Sequence, residues 1–212
     1  MREVVFDFET KEIDVLPKYP PKPVGLAIMV DGQPLVPDTF YLAWGHANGG
    51  NCNEEPVIEA VRELAEADDT TWVAHNLAFD AAVLQKHWNI RLPWGPRTVC
   101  TMLLTFLGNP YGALSLKEIC EGPLGMAPVE RDAVREYIVG RGIGKATDWG
   151  AHIWKAPWEL VAAYAKGDIV RCSALHKFWR TVPYLITPYK SSNNGKVDKR
   201  PVGQEKWGIP AK

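Results

Sequence analysis

The sequence predicts an α/β protein in which helices flank a mixed β-sheet. Two features of the chain lead to this class. Three short apolar runs typical of strands come first, and a helix, a strand, a second helix and a fifth strand follow them. In the helical segments, apolar residues recur at steps of three and four, as on the buried face of a helix. A mixed sheet covered by helices accommodates this order of elements.

Local patterns define the elements in chain order. Strands are predicted over residues 3–9, 24–30, 39–44, 71–74 and 97–101. Asp31-Gly32 is a turn signal that ends the second strand. Helices are predicted over residues 54–67, 79–88, 101–107, 114–121 and 157–180. Pro157 favours the start of the last helix, because the first turn does not need the N–H that proline lacks.

Two segments depart from this pattern. Residues 122–156 contain glycine-rich stretches and a polar helix, and we expect an insertion or a mobile arm there. From Pro183 onward the chain is rich in Ser, Asn, Gly, Pro and Lys, and residues 186–212 carry six basic side chains against two acidic ones. We therefore predict a domain over residues 1–182 and a basic tail or linker over residues 183–212, which we expect to contact DNA or a partner protein.

Composition excludes some classes of protein and leaves others open. The 212 residues carry a net charge of −1, so charge alone gives no support for nucleic-acid binding. The chain has no long apolar run that would span a membrane, and we expect no membrane partner. No targeting pattern stands at the N-terminus, so the expected location is the cytoplasm, or the host cytoplasm for a viral protein. The four cysteines lack the spacing of a zinc site and are expected as free thiols.

Two acids, Asp7 and Glu9, close the first predicted strand. Because side chains alternate along a strand, Val5, Asp7 and Glu9 share one face, and Phe6 and Phe8 share the other. Neighbouring carboxylates repel each other, and a divalent metal ion with oxygen ligands would relieve that repulsion. A strand that ends in solvent, where acids are harmless, is the alternative explanation.

Asn76 and Asp80 follow the fourth predicted strand. Asp80 stands near the start of a helix, where capping and the helix dipole favour an acid without any function. The functional alternative is that the strand brings both residues to the sheet end that carries Asp7, as strand ends do in α/β proteins.

Asp168 lies within the apolar stripe of the last predicted helix. The other members of this stripe are Val161, Ala165, Cys172, Leu175 and Trp179. Tyr164 lies one turn earlier on the same face. A buried acid is costly unless it is paired or bound to a metal ion. A salt bridge to Arg171, or to a lysine elsewhere, is the alternative to a metal ion.

Together these segments resemble the DEDD superfamily of 3′–5′ exonucleases, also called DnaQ-like. The three family motifs appear as Phe6-Asp-Phe-Glu-Thr10, His75-Asn-Leu-Ala-Phe-Asp80 and Tyr164-Ala-Lys-Gly-Asp168. A sister branch has histidine five residues before the last Asp, where this chain has Ala163, so the tyrosine-containing (DEDDy) branch is indicated. Residues 100–104, 114–118 and 157–160 are also similar to the proofreading domain of family A DNA polymerases.

The resemblance implies a ribonuclease H-like fold, with a five-stranded mixed sheet and acids clustered at one end of its central strands. It also implies two Mg²⁺ or Mn²⁺ ions. Asp7 would bridge both ions, Glu9 and Asp168 would complete the site that activates water, and Asp80 would hold the second ion through water. Tyr164 would orient the attacking water, because an ordinary tyrosine pKa of about 10 makes a poor base.

The activity expected from the resemblance is stepwise hydrolysis of single-stranded DNA from its 3′ end, in proofreading or replication. The chain would be a stand-alone exonuclease, as in a phage proofreading subunit that works with a separate DNA polymerase, or a fragment of a polymerase. Thr10, Asn76 and Phe79 are expected to contact the substrate. Lys11, Lys18 and Lys22 could guide the strand, and a solvated loop is the alternative. One alternative is an exoribonuclease of the ribonuclease D type, because only contacts to the 2′-OH separate the two. The other is a non-catalytic replisome module, against which the complete motifs argue.

Overall fold

The computed structural model describes residues 1–13 and 18–181, so the tail predicted over 183–212 lies outside the described residues. Within these ranges a single sheet of six strands forms. The strands are β1 (Arg2–Thr10), β2 (Pro23–Val30), β3 (Gln33–Pro34), β4 (Tyr41–Ala43), β5 (Thr70–Ala74) and β6 (Thr98–Cys100). Their order is β3-β2-β1-β5-β6, and β4 also pairs with β2. β1 runs antiparallel to β2 and parallel to β5, which confirms the predicted mixed sheet.

The strand that the sequence did not predict is β3. Asp31 and Gly32 both adopt positive φ angles, of 51° and 79°, and reverse the chain after β2. The reversal pairs Gln33 and Pro34 with the last two residues of β2. A polar residue followed by proline has no strand pattern, so this short pairing follows from the turn and not from strand propensity.

Helices cover both faces of the sheet. They are α1 (Glu54–Glu66), α2 (Leu77–Val83), α3 (Thr101–Gly108), α4 (Leu116–Leu124), α5 (Val129–Gly140) and α6 (Trp158–Thr181). A π-helical turn, Leu84–Trp88, continues α2, and a 3₁₀ helix, Trp149–Lys155, precedes α6. Among the described residues, no helix combines the length and apolar character needed to cross a membrane.

β1 separates two hydrophobic cores. Phe6 and Phe8 pack into the core beneath α1 and α2, where Phe8 lies edge-on to Trp88 with ring centroids 5.0 Å apart. Val5 points to the opposite face and packs with Ile169 and its neighbours on α6. This alternation places every second residue of β1 under α6, including Asp7 and Glu9 beyond Val5.

The segment 122–156 packs against α6, and the expectation of a mobile arm is wrong. Val134 and Ile138 of α5 are fully buried, and Ile153 of the 3₁₀ helix is nearly so. Val134 and Ile138 are the only buried residues of α5, and most of its other side chains are exposed to solvent. The polar composition therefore conceals a real core contribution, which becomes visible only once α6 supplies the partner face.

Candidate active site

The carboxylates of β1 lie beside small residues of β2. Ala27 pairs with Asp7, and Gly25 pairs with Glu9. A Cβ atom at Gly25 would collide with the ring of Tyr41, whose side chain therefore lies over this position. The small neighbours leave the face of β1 open to side chains from α6.

Helix α6 crosses this open face and brings Asp168 and Tyr164 to it. One carboxylate oxygen each from Asp7, Glu9 and Asp168 lies within 4.8 Å of the other two. Oxygens this close can share one ion, and carboxylates are the donors that Mg²⁺ and Mn²⁺ prefer. The three side chains therefore form a ligand set that fits a hard divalent cation.

Asp80 reaches the same end of the sheet from α2. β5 runs parallel to β1, so the helix that follows β5 begins beside the end of β1. Asp80 is 1% exposed, and its Oδ1 accepts a hydrogen bond from the Phe8 N–H at 3.0 Å. Because Phe8 stands between Asp7 and Glu9, this bond fixes α2 to the backbone that presents both carboxylates. Asn76, and not Asp80, occupies the N-cap of α2.

Burial and mutual repulsion raise the pKa values of Asp7, Glu9 and Asp80. Burial, and then the charge of Asp168, raise the pKa of Asp7 to about 7, although Lys117 opposes the shift. Burial and the neighbouring Asp7 raise the pKa of Glu9 well above its ordinary range, and the same two causes act on Asp80. Raised carboxyl pKa values indicate that the site has too little countercharge, which a divalent cation would supply.

Lys117 is a site residue that the sequence did not single out. Its Nζ donates to both carboxylate oxygens of Asp168 at 2.6 Å and to Tyr164 Oη at 3.1 Å. Arg171 Nη1 lies 3.6 Å from Asp168 Oδ1. Asp168 thus forms the salt bridges that were the alternative to a metal ion, within the same carboxylate cluster. Lys117 sits in the first turn of α4, where the helix dipole disfavours a cation, and this was the available signal.

Tyr164 completes the cluster with a hydroxyl group. Burial, followed by the charge of Asp168, raises its pKa well above the ordinary value. The phenol therefore keeps its proton at neutral pH. Trp149 packs edge-on against the ring, with centroids 6.1 Å apart, and holds it in place.

Tyr41 and His46 form a buried polar pair that supports the position of α6. The sequence predictions did not include this pair. Tyr41 Oη and His46 Nε2 are hydrogen-bonded at 2.6 Å, and His46 Nδ1 donates to the Ala156 carbonyl at 3.1 Å. The pair links β4 to the chain just before α6. It therefore helps to set where α6 crosses the sheet.

The predicted substrate contacts, Thr10, Asn76 and Phe79, are not members of the carboxylate cluster. Thr10 Oγ1 donates to the Lys11 carbonyl at 2.9 Å, and Asn76 is exposed with φ 57°. Phe79 is half-buried and lies edge-on to Tyr19, with ring centroids 6.2 Å apart. Their roles in substrate binding stay predictions.

The predicted guiding lysines lie near the end of β1. Lys11 and Lys22 line a surface cavity of ≈ 270 Å³ together with Trp44. Lys11 Nζ also lies 5.2 Å from the centroid of the Trp154 ring. The same cavity is also lined by Glu54, and the guiding role of the lysines stays a prediction.

Comparison with known proteins gives a match to a solved structure and none to a protein family. No protein-family model matches the chain, and no curated protein matches it. Among solved structures, the chain is similar to "Brucella melitensis NrnC with bound Mg2+", with a TM-score of 0.49 and 19% sequence identity. The match covers 84% of this chain and 71% of the other. Similarity at this level carries no information on activity or substrate.

Proposed function

We propose that the protein is a metal-dependent 3′–5′ exonuclease that hydrolyses single-stranded nucleic acid one nucleotide at a time. The observation that carries the proposal is the convergence of Asp7, Glu9 and Asp168 within 4.8 Å at one end of the sheet. The hydroxyl of Tyr164 lies beside them. Acids from separate elements that converge beside a phenol, with the pKa values of Asp7 and Glu9 raised, are typical of a catalytic site and unusual for a structural one.

The carboxylates would hold one or two Mg²⁺ or Mn²⁺ ions. When bound, these ions supply activation of the attacking water and neutralise charge at the leaving 3′ oxygen. Asp7 lies centrally in this arrangement, with Glu9 next to it on β1 and Asp168 opposite on α6. Asp80 braces the backbone between the two β1 ligands and adds negative charge to the same region.

Tyr164 would position the attacking water through its hydroxyl group. Its raised pKa makes the phenolate too scarce at neutral pH for a general base. A protonated phenol can instead hydrogen-bond to the water, through its O–H or through a lone pair of its oxygen, and fix its direction of approach. Positioning of this kind contributes to the rate without any change in protonation.

Two substrates remain candidates, single-stranded DNA and RNA. The clustered groups act on phosphate and metal, and neither distinguishes the sugars, because discrimination needs a contact to the 2′-OH. Exonuclease chemistry is therefore the proposal, and the ribonuclease D type of activity stands beside the DNA activity as its alternative. A role in proofreading would need the DNA activity.

The test uses 5′-labelled DNA and RNA oligonucleotides of one sequence, incubated with the purified protein and Mn²⁺ or Mg²⁺. A ladder that shortens by single nucleotides from the 3′ end is the expected result. The same oligonucleotides with a blocked 3′ end should resist degradation. Cleavage inside the strand, or no cleavage of either polymer, would refute the proposal, and the ratio of the two rates identifies the substrate.

A further inference from the structure

The backbone that carries Lys117 is anchored beside the carboxylate cluster. The carbonyl of Leu114, just before α4, accepts a hydrogen bond from His75 Nε2 at 2.8 Å. Beyond Lys117, Ile119 and Cys120 of α4 are buried against α6. The backbone on either side of the lysine is therefore fixed, and only the side chain can move relative to the site.

The lysine side chain lies deep in the site at an energetic cost. It is 14% exposed, and the Asp168 side chain that it contacts is 9% exposed. Lysine is among the residue types least often buried unless it is paired. The first turn of a helix also disfavours a cation. The pairing with Asp168 is what offsets these costs, so the lysine belongs to the carboxylate cluster.

The ammonium group uses the atoms that a metal ion would use. Nζ donates to both oxygens of Asp168, and Asp168 is one of the three residues whose oxygens can share an ion. An ion ligated by Asp168 would lie next to Nζ, and two cations in contact repel each other strongly in a partly buried site. Lys117 and a divalent cation therefore cannot both hold Asp168 in this arrangement.

Lys117 also engages the proposed positioning residue. Its Nζ donates to Tyr164 Oη at 3.1 Å and lies 4.2 Å from the centroid of the tyrosine ring. The contact occupies an acceptor position of the hydroxyl group. Departure of Nζ from Asp168 would remove this contact, because both bonds come from the same nitrogen atom.

We propose that Lys117 is a displaceable counter-cation, which competes with divalent metal for Asp168 and releases the Tyr164 hydroxyl when metal binds. Lys117 acts through Asp168 and Tyr164, so it is a positioning residue. The inference rests on the proposed function, since it requires the carboxylate cluster to bind metal. Binding of the ion and release of the hydroxyl then become one event.

The test is calorimetric titration of the full chain with Mn²⁺, which needs no nuclease activity. Lys117→Met should bind Mn²⁺ about tenfold more tightly than the wild type, which corresponds to ~1.4 kcal/mol. Lys177→Met, which replaces an exposed lysine of α6, is the matched control and should bind like the wild type. Equal or weaker binding by folded Lys117→Met would overturn the inference.

Lys117→Arg keeps the test decisive if Lys117→Met does not fold. Arginine retains the charge and pairs more strongly with a carboxylate through its planar fork. It should therefore bind Mn²⁺ more weakly than the wild type, and binding as tight as the wild type would contradict the competition. Failure of the wild type itself to bind Mn²⁺ would instead refute the proposed function, so the two failures are distinguishable.

Discussion

At the scale of single residues, Asp7 links metal binding to pH. Its pKa of about 7 means that a proton competes with metal below neutrality. The affinity for Mn²⁺ should therefore rise as pH increases from about 6 to about 8, since a carboxyl ligand must lose its proton to bind metal. Calorimetric titration at several pH values measures this dependence.

Asp7→Asn provides the comparison for that experiment. Asparagine keeps the shape but cannot ionise, so binding should be weak at every pH and should lose the part of its pH dependence that Asp7 contributes. A wild-type affinity that stays constant across this interval would contradict the assignment of Asp7 as a ligand.

Tyr164→Phe tests the positioning role of the hydroxyl group. The substitution keeps the ring packed on Trp149 and removes only the hydroxyl. We expect kcat to fall by about tenfold to a hundredfold, because a poorly oriented nucleophile loses rate by factors of this order. KM should change little and Mn²⁺ affinity should not fall, since phenylalanine removes no metal ligand. An unchanged kcat would show that the hydroxyl has no part in the reaction.

The residues of the site differ in how far the sequence could reveal them. The period of two along β1 is local, so it placed Asp7 and Glu9 on one face without any tertiary information. Asp168 stood out because it interrupts an apolar stripe. Lys117 could not be found in this way, because its partner is 51 residues further along the chain and depends on how α4 packs on α6.

At the scale of elements, the docking of α6 on β1 decides whether the carboxylates meet. Glu3 near the start of β1 accepts hydrogen bonds from Ser173 Oγ at 3.1 Å and from His176 Nδ1 at 2.8 Å. Both donors lie on the helix that carries Asp168. The hydrogen bond from His176 is the main cause that lowers the pKa of Glu3 below its ordinary value.

Glu3→Gln should therefore destabilise the fold by about 1.5–3 kcal/mol at neutral pH, as expected for hydrogen bonds to a charged group. A lowered pKa stabilises the folded state above the ordinary carboxyl pKa, and that contribution is lost as pH falls through the folded-state value. The difference in the free energy of unfolding between Glu3→Gln and the wild type should shrink at acid pH. Urea unfolding of both proteins at neutral and at acid pH measures this difference.

Glu63→Gln, on the exposed face of α1, is the matched control and should leave stability nearly unchanged. A Glu3→Gln variant as stable as this control at neutral pH would contradict the role of Glu3 in docking α6. A loss of stability in Glu3→Gln that is equally large at acid pH would show that the charge of Glu3 does not cause the loss.

Elements were predictable where their pattern was self-contained. The apolar stripes of α1 and α6 identified both helices from sequence. The segment 122–156 was misjudged because α5 buries only Val134 and Ile138, and a sparse stripe looks like a solvated helix until its partner is known. The π-helical turn after α2 also carries no local signature, since its residues continue the same apolar helix pattern.

At the scale of the whole molecule, the predicted mixed sheet is confirmed because chain order and strand character together restrict the arrangement. The local sequence patterns did not give the central position of β1 in the sheet. It results from pairing on both sides, antiparallel to β2 and parallel to β5. That position lets α2 and α6 reach one end of β1 from opposite faces of the sheet, which is the condition for the site.

We propose that this convergence of carboxylates makes the protein a nuclease. The test is the degradation of 5′-labelled single-stranded DNA and RNA oligonucleotides of one sequence with Mn²⁺, with wild type, Asp7→Asn and Asp38→Asn compared in parallel. Asp38 is an exposed aspartate with φ 65°, a conformation that asparagine tolerates, so its variant is a matched control.

Wild type and Asp38→Asn should shorten the strand nucleotide by nucleotide from the 3′ end, and chelation of the metal should stop both. Asp7→Asn should lose at least about a thousandfold in rate while it keeps its fold by circular dichroism. A folded Asp7→Asn protein that degrades the strand as fast as the wild type would contradict the claim, as would a wild type that leaves both DNA and RNA intact.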